Sequence, residues 1–224
     1  MKDSYIVFSD VDETLIRFKS MMTFMDYFLY ETAFARAPSA ADKRTEFEAI
    51  KAANTSSADR VALNRRFYEM FAGIAQAELQ SAANTWLSQI MARGDLFVPS
   101  AFEEQRQHKA RGAELVLVSG SFRDILAPIS AHVGADHLLC SEIEVKDGVY
   151  TGRLLQQVIG DGKWEVIAKH LSGRSVDLKA CYAYGDHVSD ICFMEKFGNP
   201  IVVGAEPRMM EIAKKRQWRV IAAD

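Results

Sequence analysis

The stretch Tyr5-Ile6-Val7-Phe8-Ser9-Asp10-Val11-Asp12-Glu13-Thr14 decides how this chain is read. Its apolar first half predicts a buried β-strand. Its second half places two carboxylates two residues apart, directly after that strand. At the carboxyl end of a buried strand in an α/β protein, side chains project into the crevice where ligands bind. Two acids there repel each other, so a fold retains them with a cation or for chemistry. A polar Asp-x-Asp turn without function is the competing reading, and the remaining sequence weighs against it.

Composition sets the frame. The chain has 224 residues, 49% of them apolar, enough for a sizeable core in one large domain or a core plus a smaller domain. A net charge of -3 argues against a nucleic-acid or polyanion binder. Cys140, Cys181 and Cys192 show no paired spacing, so they read as reduced thiols of a cytoplasmic protein. The start Met1-Lys2-Asp3-Ser4 lacks the apolar stretch of a signal peptide, and no run approaches the ~18 apolar residues of a membrane span.

Outward from the opening strand, two regimes follow. Residues 21–93 are helical in character. Met21, Phe24, Met25, Phe28 and Leu29 mark one apolar helix face. Phe67, Met70, Phe71 and Ile74 repeat the pattern, and Leu79, Trp86, Leu87 and Ile90 follow it less regularly. Pro38-Ser39 and Asn54-Thr55-Ser56-Ser57 predict breaks between helices. From Val98 onward, strands and helices alternate. Strands are predicted over 114–118, stopping at Ser119-Gly120-Ser121, over 136–140, over 180–184 and over 201–203, with a last one over 218–221. Helices are predicted over 99–111, 122–133 with an interruption at Pro128, 164–171, 191–197 and 207–216. Residues 142–150 read as a hairpin turning at Asp147-Gly148. Alternation of this kind predicts a doubly wound α/β fold, a parallel sheet with helices on both faces. The helical block, residues 19–94, reads as an insertion dividing that core into residues 1–18 and 95–224.

Four polar clusters then fall into line: Asp10-x-Asp12, Ser119-Gly120, Lys163 at the start of a helix, and Asp186-x-x-x-Asp190. A parallel sheet brings strand ends to one edge, so one site can collect them. The set resembles the haloacid dehalogenase superfamily of phosphatases. The matching segments are DVDET at 10–14, LVLVSGS at 115–121, GDGKW at 160–164 and YGDHVSD at 184–190. The segment EIEVKDGVYTGRL at 142–154 and the helical block between the first two motifs resemble its phosphoserine-phosphatase-like branch.

This resemblance implies a Rossmann-like core with a helical cap, and a Mg2+-dependent phosphomonoester hydrolase working through an aspartyl-phosphate. Asp10 would be the nucleophile. Asp12 would be the general acid and base, for which a raised pKa is needed. Mg2+ would bind Asp10, the backbone carbonyl of Asp12, and Asp186, with Asp190 supporting it directly or through water. Ser119 and the Gly120 amide would hold phosphoryl oxygens, and Lys163 would neutralise charge. Thr14 would orient the Asp10 loop. Ser119 as a helix N-cap and Lys163 as an ordinary surface lysine are the plain alternatives. His187 lies inside the last motif and either reaches the site or faces solvent.

At substrate choice the sequence departs from the branch. Lys19 stands where phosphoserine phosphatases carry an amine-binding glutamate. It either favours a neutral or anionic leaving group or points to solvent. Arg65 or Arg66 falls where the family has a carboxylate-binding arginine. The expected partner is therefore a small organic phosphomonoester other than phosphoserine, with no nucleic-acid or membrane partner. A phosphotransferase or mutase sharing the Asp10 intermediate, and a phospho-aspartate signalling module, are the alternatives.

Overall fold

A computed structural model describes residues 5–53 and 57–223. The expected break at Asn54-Thr55-Ser56 and the start Met1–Ser4 lie outside these residues, apart from Ser57, which opens a helix. In chain order the elements are β1 (Ile6–Ser9), α1 (Ser20–Glu31), a short 3-10 turn (Ala33–Arg36), α2 (Ala40–Ala52), α3 (Ser57–Glu69) and α4 (Gln76–Arg93). Then come α5 (Pro99–Ala110), β2 (Glu114–Phe122), α6 (Arg123–His132), β3 (His137–Lys146), β4 (Val149–Gln156) and α7 (Asp161–Leu171). The chain ends through β5 (Tyr182–Gly185), a 3-10 turn (Val188–Asp190), α8 (Ile191–Met194), β6 (Asn199–Val203), α9 (Pro207–Arg216) and β7 (Arg219–Ile221).

The strands form one sheet in the order β4-β3-β2-β1-β5-β6-β7. Every pairing is parallel except the β3–β4 hairpin. β1 is central and buried along its length, which is why it reads as a continuous apolar run. Its alternate side chains separate the core into two clusters. Ile6 and Phe8 pack with Val166, Ile167 and Phe193 on one face. Val7 faces the other, in a cluster that continues without a break into Phe24, Phe28, Phe67 and Trp86 of the helical block. Burying such large aromatics stabilises by about 1.5–3 kcal/mol each. The block thus rests on the sheet through shared apolar surface, and α4 and α1 pack on α6.

The alternation predicted from sequence is observed, with four differences. β2 does not stop at Ser119 but runs to Phe122, because β3 continues to pair with it past a register shift between Ser119 and Phe122. The two strands expected over 136–145 are one strand, β3, parallel to β2 at its start and antiparallel to β4 at its end. Pro128 does not interrupt α6, since Ile125, Leu126 and Ile129 hold it against the core. α3 ends at Glu69, and Met70, Phe71 and Ile74 stay buried in the turn that follows. The hairpin turn falls at Asp147-Gly148, both in the left-handed conformation such a turn requires.

Candidate active site

Register explains the site. Ser9 sits level with Leu117 of β2 and Tyr184 of β5. One or two residues further on, the three neighbouring strands deliver Asp10, Ser119 and Asp186 to the same edge. A hydrogen bond from the Asp10 amide to the Tyr184 carbonyl (3.0 Å) fixes where β1 ends. The loop then coils tightly: the amides of Leu15 and Ile16 both donate to the Val11 carbonyl, at 2.9 and 3.0 Å. Glu13 adopts a left-handed backbone (φ 59°), uncommon outside glycine, to make this turn.

Asp10 is 5% exposed and Lys163 6%. The Lys163 ammonium donates to Asp10 Oδ1 and to Asp190 Oδ1, each at 2.6 Å. Lys163 is the third residue of α7 and reaches the site from the helix start. Thr14 Oγ1 lies 3.1 Å from Asp186 Oδ1 and 3.3 Å from Asp10 Oδ2, so its single proton serves one of them at a time. Gly185 permits the last motif to close: a Cβ there would come within 2.8 Å of Asp190 Cβ and of Met194 Sδ. Asp190 Oδ2 accepts from the His187 amide (3.3 Å), while the His187 ring turns to the Ser189 amide (3.1 Å).

Asp12 is placed differently. Its carboxylate accepts from the Ser20 amide at 3.1 Å, at the first turn of α1, where the helix dipole favours an anion. It therefore ties the motif loop to the helical block. Burial pushes its pKa up to about 6, against the Ser20 hydrogen bond. Burial also raises Asp10 well above the carboxylate range, opposed by Lys163 and reinforced by Asp190 and Asp186. Asp186 rises to about 7, through burial and then the Asp190 charge. For Lys163, burial disfavours the ammonium, but Asp10 and Asp190 override it and hold the pKa above the usual lysine range.

Ser119 is buried, and its Oγ accepts the Ser121 amide at 3.1 Å, leaving its own proton free to donate into the cavity. The register shift in β2 turns the backbone here, and a Cβ on Gly120 would press on Ile159 at 3.0 Å. Two residues that sequence reasoning missed complete this wall. Ser121 carries a buried hydroxyl with no partner and lines the cavity. Tyr68, from α3, donates to the Gly120 carbonyl, as does Ser141 at 2.9 Å. The Ser-Gly-Ser run gave a signal for the first. Nothing local marks Tyr68, because its contact spans 52 residues.

These groups open into one cavity of about 430 Å3. Its far wall comes from the helical block: Met21, Met22, Ile50, Leu63 and Phe67 supply apolar surface, with Lys19, Lys51 and Asn64 as polar members. Lys19 reaches the cavity and lies 3.6 Å from Glu13, both side chains half exposed. Lys51 was not foreseen; it pairs with Glu48 (2.9 Å) and Asp26 (3.1 Å). Neither Arg65 nor Arg66 lines the cavity. Leu63, Asn64 and Phe67 form the inward face of α3, and the two arginines fall on its outer side, where Arg66 pairs with Glu46 at 2.7 Å.

Carboxylate oxygens of Asp10, Asp186 and Asp190 lie within 4.8 Å of one another. Lys163 pairs with two of these three acids, and a hard divalent cation fits the oxygen-rich set. The Asp12 side chain stands outside the three-residue cluster.

Fold and cavity define an α/β protein with a polar, acid-lined cavity at its strand ends. The haloacid dehalogenase-like hydrolase description matches residues 7–195. The chain belongs to that family. A Mycobacterium tuberculosis protein named "Probable phosphatase" is 28% identical over 220 residues, covering 96% of this chain and 74% of the relative. The phosphoserine phosphatase SerB1 of the same species is 24% identical over 220 residues, covering 95% and 69%. Among solved structures, a Bordetella pertussis protein of unknown function superposes with a TM-score of 0.84 at 25% identity, with both chains fully covered. A phospho-aspartyl intermediate analogue of phosphoserine phosphatase gives 0.62 at 18% identity, covering 100% of this chain and 95% of the other. The fold is thus that of the phosphoserine-phosphatase-like branch. Among the described residues, no helix is long and apolar enough to cross a membrane.

Proposed function

We propose that the chain is a Mg2+-dependent phosphomonoesterase that uses Asp10 as its nucleophile. The observation that carries this reading is the buried Asp10 carboxylate held at 2.6 Å by Lys163, beside Asp186, Asp190 and the donors of the Ser119 wall. The relatives' phosphatase names agree with it.

In the first step an Asp10 oxygen bonds to phosphorus as the ester oxygen departs. Asp12, with a pKa near 6, supplies the proton that the departing oxygen takes. In the second step water attacks the aspartyl-phosphate, Asp12 accepts its proton, and free phosphate and the Asp10 carboxylate are restored. Ser119, the Gly120 amide and Ser121 bind the phosphoryl oxygens, and Lys163 balances the charge shared by Asp10 and phosphate. Asp10, the Asp12 carbonyl and Asp186 would hold Mg2+, supported by Asp190; the ion would add charge neutralisation to the phosphoryl group. Residues 19–94 act as the cap that closes over the leaving group. The three free cysteines fit a reducing, cytoplasmic setting.

The leaving group is a neutral or anionic organic moiety with apolar surface, not serine. The cavity carboxylate Glu13 is matched by Lys19, and Lys51 is matched by Glu48 and Asp26, so among the described residues no unpaired acid on the cap side of the cavity receives an ammonium. Phosphate release should be assayed with Mg2+ over a panel of phosphomonoesters, in wild type, Asp10→Asn and Asp12→Asn. Activity retained in Asp10→Asn refutes the nucleophile. A clear preference for phosphoserine refutes the leaving-group reading alone.

A further inference from the structure

At the sheet edge opposite Asp10, three other side chains converge. Glu114 opens β2, His137 opens β3, and His170 lies in the last turn of α7. Glu114 is five strand residues before Ser119, about 16 Å away. His170 is seven helical residues beyond Lys163, about 10 Å along the axis. The cluster is therefore separate from the phosphate cavity.

Glu114 Oε1 lies 3.1 Å from His170 Nε2 and 3.3 Å from His137 Nε2. The three atoms fall within 4.8 Å of one another. Zinc ligands at 2.0–2.1 Å in a tetrahedron stand about 3.3 Å apart. Their side chains are 18%, 12% and 49% exposed for Glu114, His170 and His137, so the cluster is held by its surroundings yet open on one side.

The hydrogen bonding of this cluster converges its acceptors on one cation, Arg174. Arg174 Nη1 lies 2.6 Å from His170 Nε2 and 2.9 Å from Glu114 Oε1. A guanidinium only donates, so the first contact needs a lone pair on Nε2. That lone pair then faces the carboxylate oxygen at 3.1 Å. If Nε2 carries a proton instead, it faces the Arg174 N–H. With Nε2 unprotonated, the two N–H groups of Arg174 Nη1 serve Nε2 and Oε1, which are left facing each other as two acceptors, and a dication in place of Nη1 would accept both imidazole lone pairs and the carboxylate at once.

We propose that Glu114, His137 and His170 form a site for a transition-metal dication of the Zn2+ class, with solvent filling the open position. Two imidazoles and one carboxylate suit Zn2+, Co2+ or Ni2+ and do not suit Mg2+. Arg174 is the resident competitor. Its Nη1 must swing away, while Nη2 keeps its bond to Glu114 Oε2 and orients the ligand carboxylate. The bound ion would pin the starts of β2 and β3 to the end of α7.

The test is equilibrium dialysis of the whole protein against Co2+ or Zn2+, with excess Mg2+ to occupy the acidic cluster, read by metal analysis and by the visible absorption of Co2+. One equivalent of Co2+ is expected in wild type. His137→Gln, a half-exposed change that folding tolerates, should weaken it at least about tenfold, as should His170→Gln. Arg174→Gln should tighten it by removing the competing charge. No Co2+ uptake by wild type, or uptake that none of these substitutions changes, would overturn the proposal. Circular dichroism of each variant separates a lost site from a lost fold.

Discussion

Replacing Lys163 by Met tests the centre of the proposed site most directly. The side chain keeps its length and loses its charge. At 2.6 Å and an effective dielectric of about 20, each of its two carboxylate contacts is worth about 6 kcal/mol of gross attraction. Most of that offsets the desolvation of three groups each less than a tenth exposed. The net effect of breaking such a pair is about 3–5 kcal/mol, because the buried Asp10 and Asp190 carboxyls are left without their ammonium partner. For a chain of this size that lowers Tm by roughly 6–20 °C. The measurement is urea and thermal unfolding in EDTA at pH 7, beside Mg2+-dependent phosphate release on the best substrate of the panel. Activity should fall by about 10²–10³, the usual effect of losing one preorganised charge partner of a reacting group. The stability loss should shrink as the pH is lowered, since burial already raises Asp10 and a proton there replaces the lost charge partner. A variant that unfolds within about 1 kcal/mol of wild type, or keeps more than about a tenth of its activity, would refute this account of Lys163.

Gly185→Ala forces a Cβ against Asp190 and Met194, both 2.8 Å away, and should destabilise by about 1–3 kcal/mol while reducing activity more than that loss alone explains; urea melts and phosphate release measure both. Saturating Mg2+ should raise Tm by roughly 5–10 °C at a hundredfold excess over Kd, and Asp186→Asn should blunt that rise; an equal rise in the variant would remove Asp186 from the ligand set. The Arg174 hydrogen bond holds the Glu114 carboxyl below its usual range. Glu114 therefore contributes stability that is fully present above 4.5, its ordinary value, and is lost as the pH falls through its folded pKa. In EDTA, the stability difference between wild type and Arg174→Ala should shrink on acidification; a difference that grows would contradict the assignment.

Much of this was legible in the chain itself. The apolar run before Asp10, the alternation after Val98 and the period-3.6 stripe at Met21–Leu29 report burial, and burial is what strands and helices of a layered fold share. The less legible parts have definite causes. Arg65 and Arg66 lie between Asn64 and Phe67, which do line the cavity, yet a helix turns each residue by about 100°, so neighbours leave the site for solvent. The extension of β2 through Ser119-Gly120-Ser121 depends on β3 continuing beside it, a pairing no local propensity encodes.

Sequence alone determined which side chains carry charge, which segments must be buried, and the order in which polar clusters follow strands. That order, read against a parallel sheet, already places Asp10, Ser119 and Asp186 on one edge. Only the tertiary structure decided the partners. It gave Lys163 two carboxylates instead of one, sent Asp12 to the first turn of α1, set Tyr68 against Gly120, and closed Glu114, His137 and His170 around Arg174 at the far edge. Except for those of Asp12 with Ser20 and of His170 with Arg174, these are contacts between segments distant in the chain. Their distances follow from how helices and strands pack, and packing is a property of the whole core.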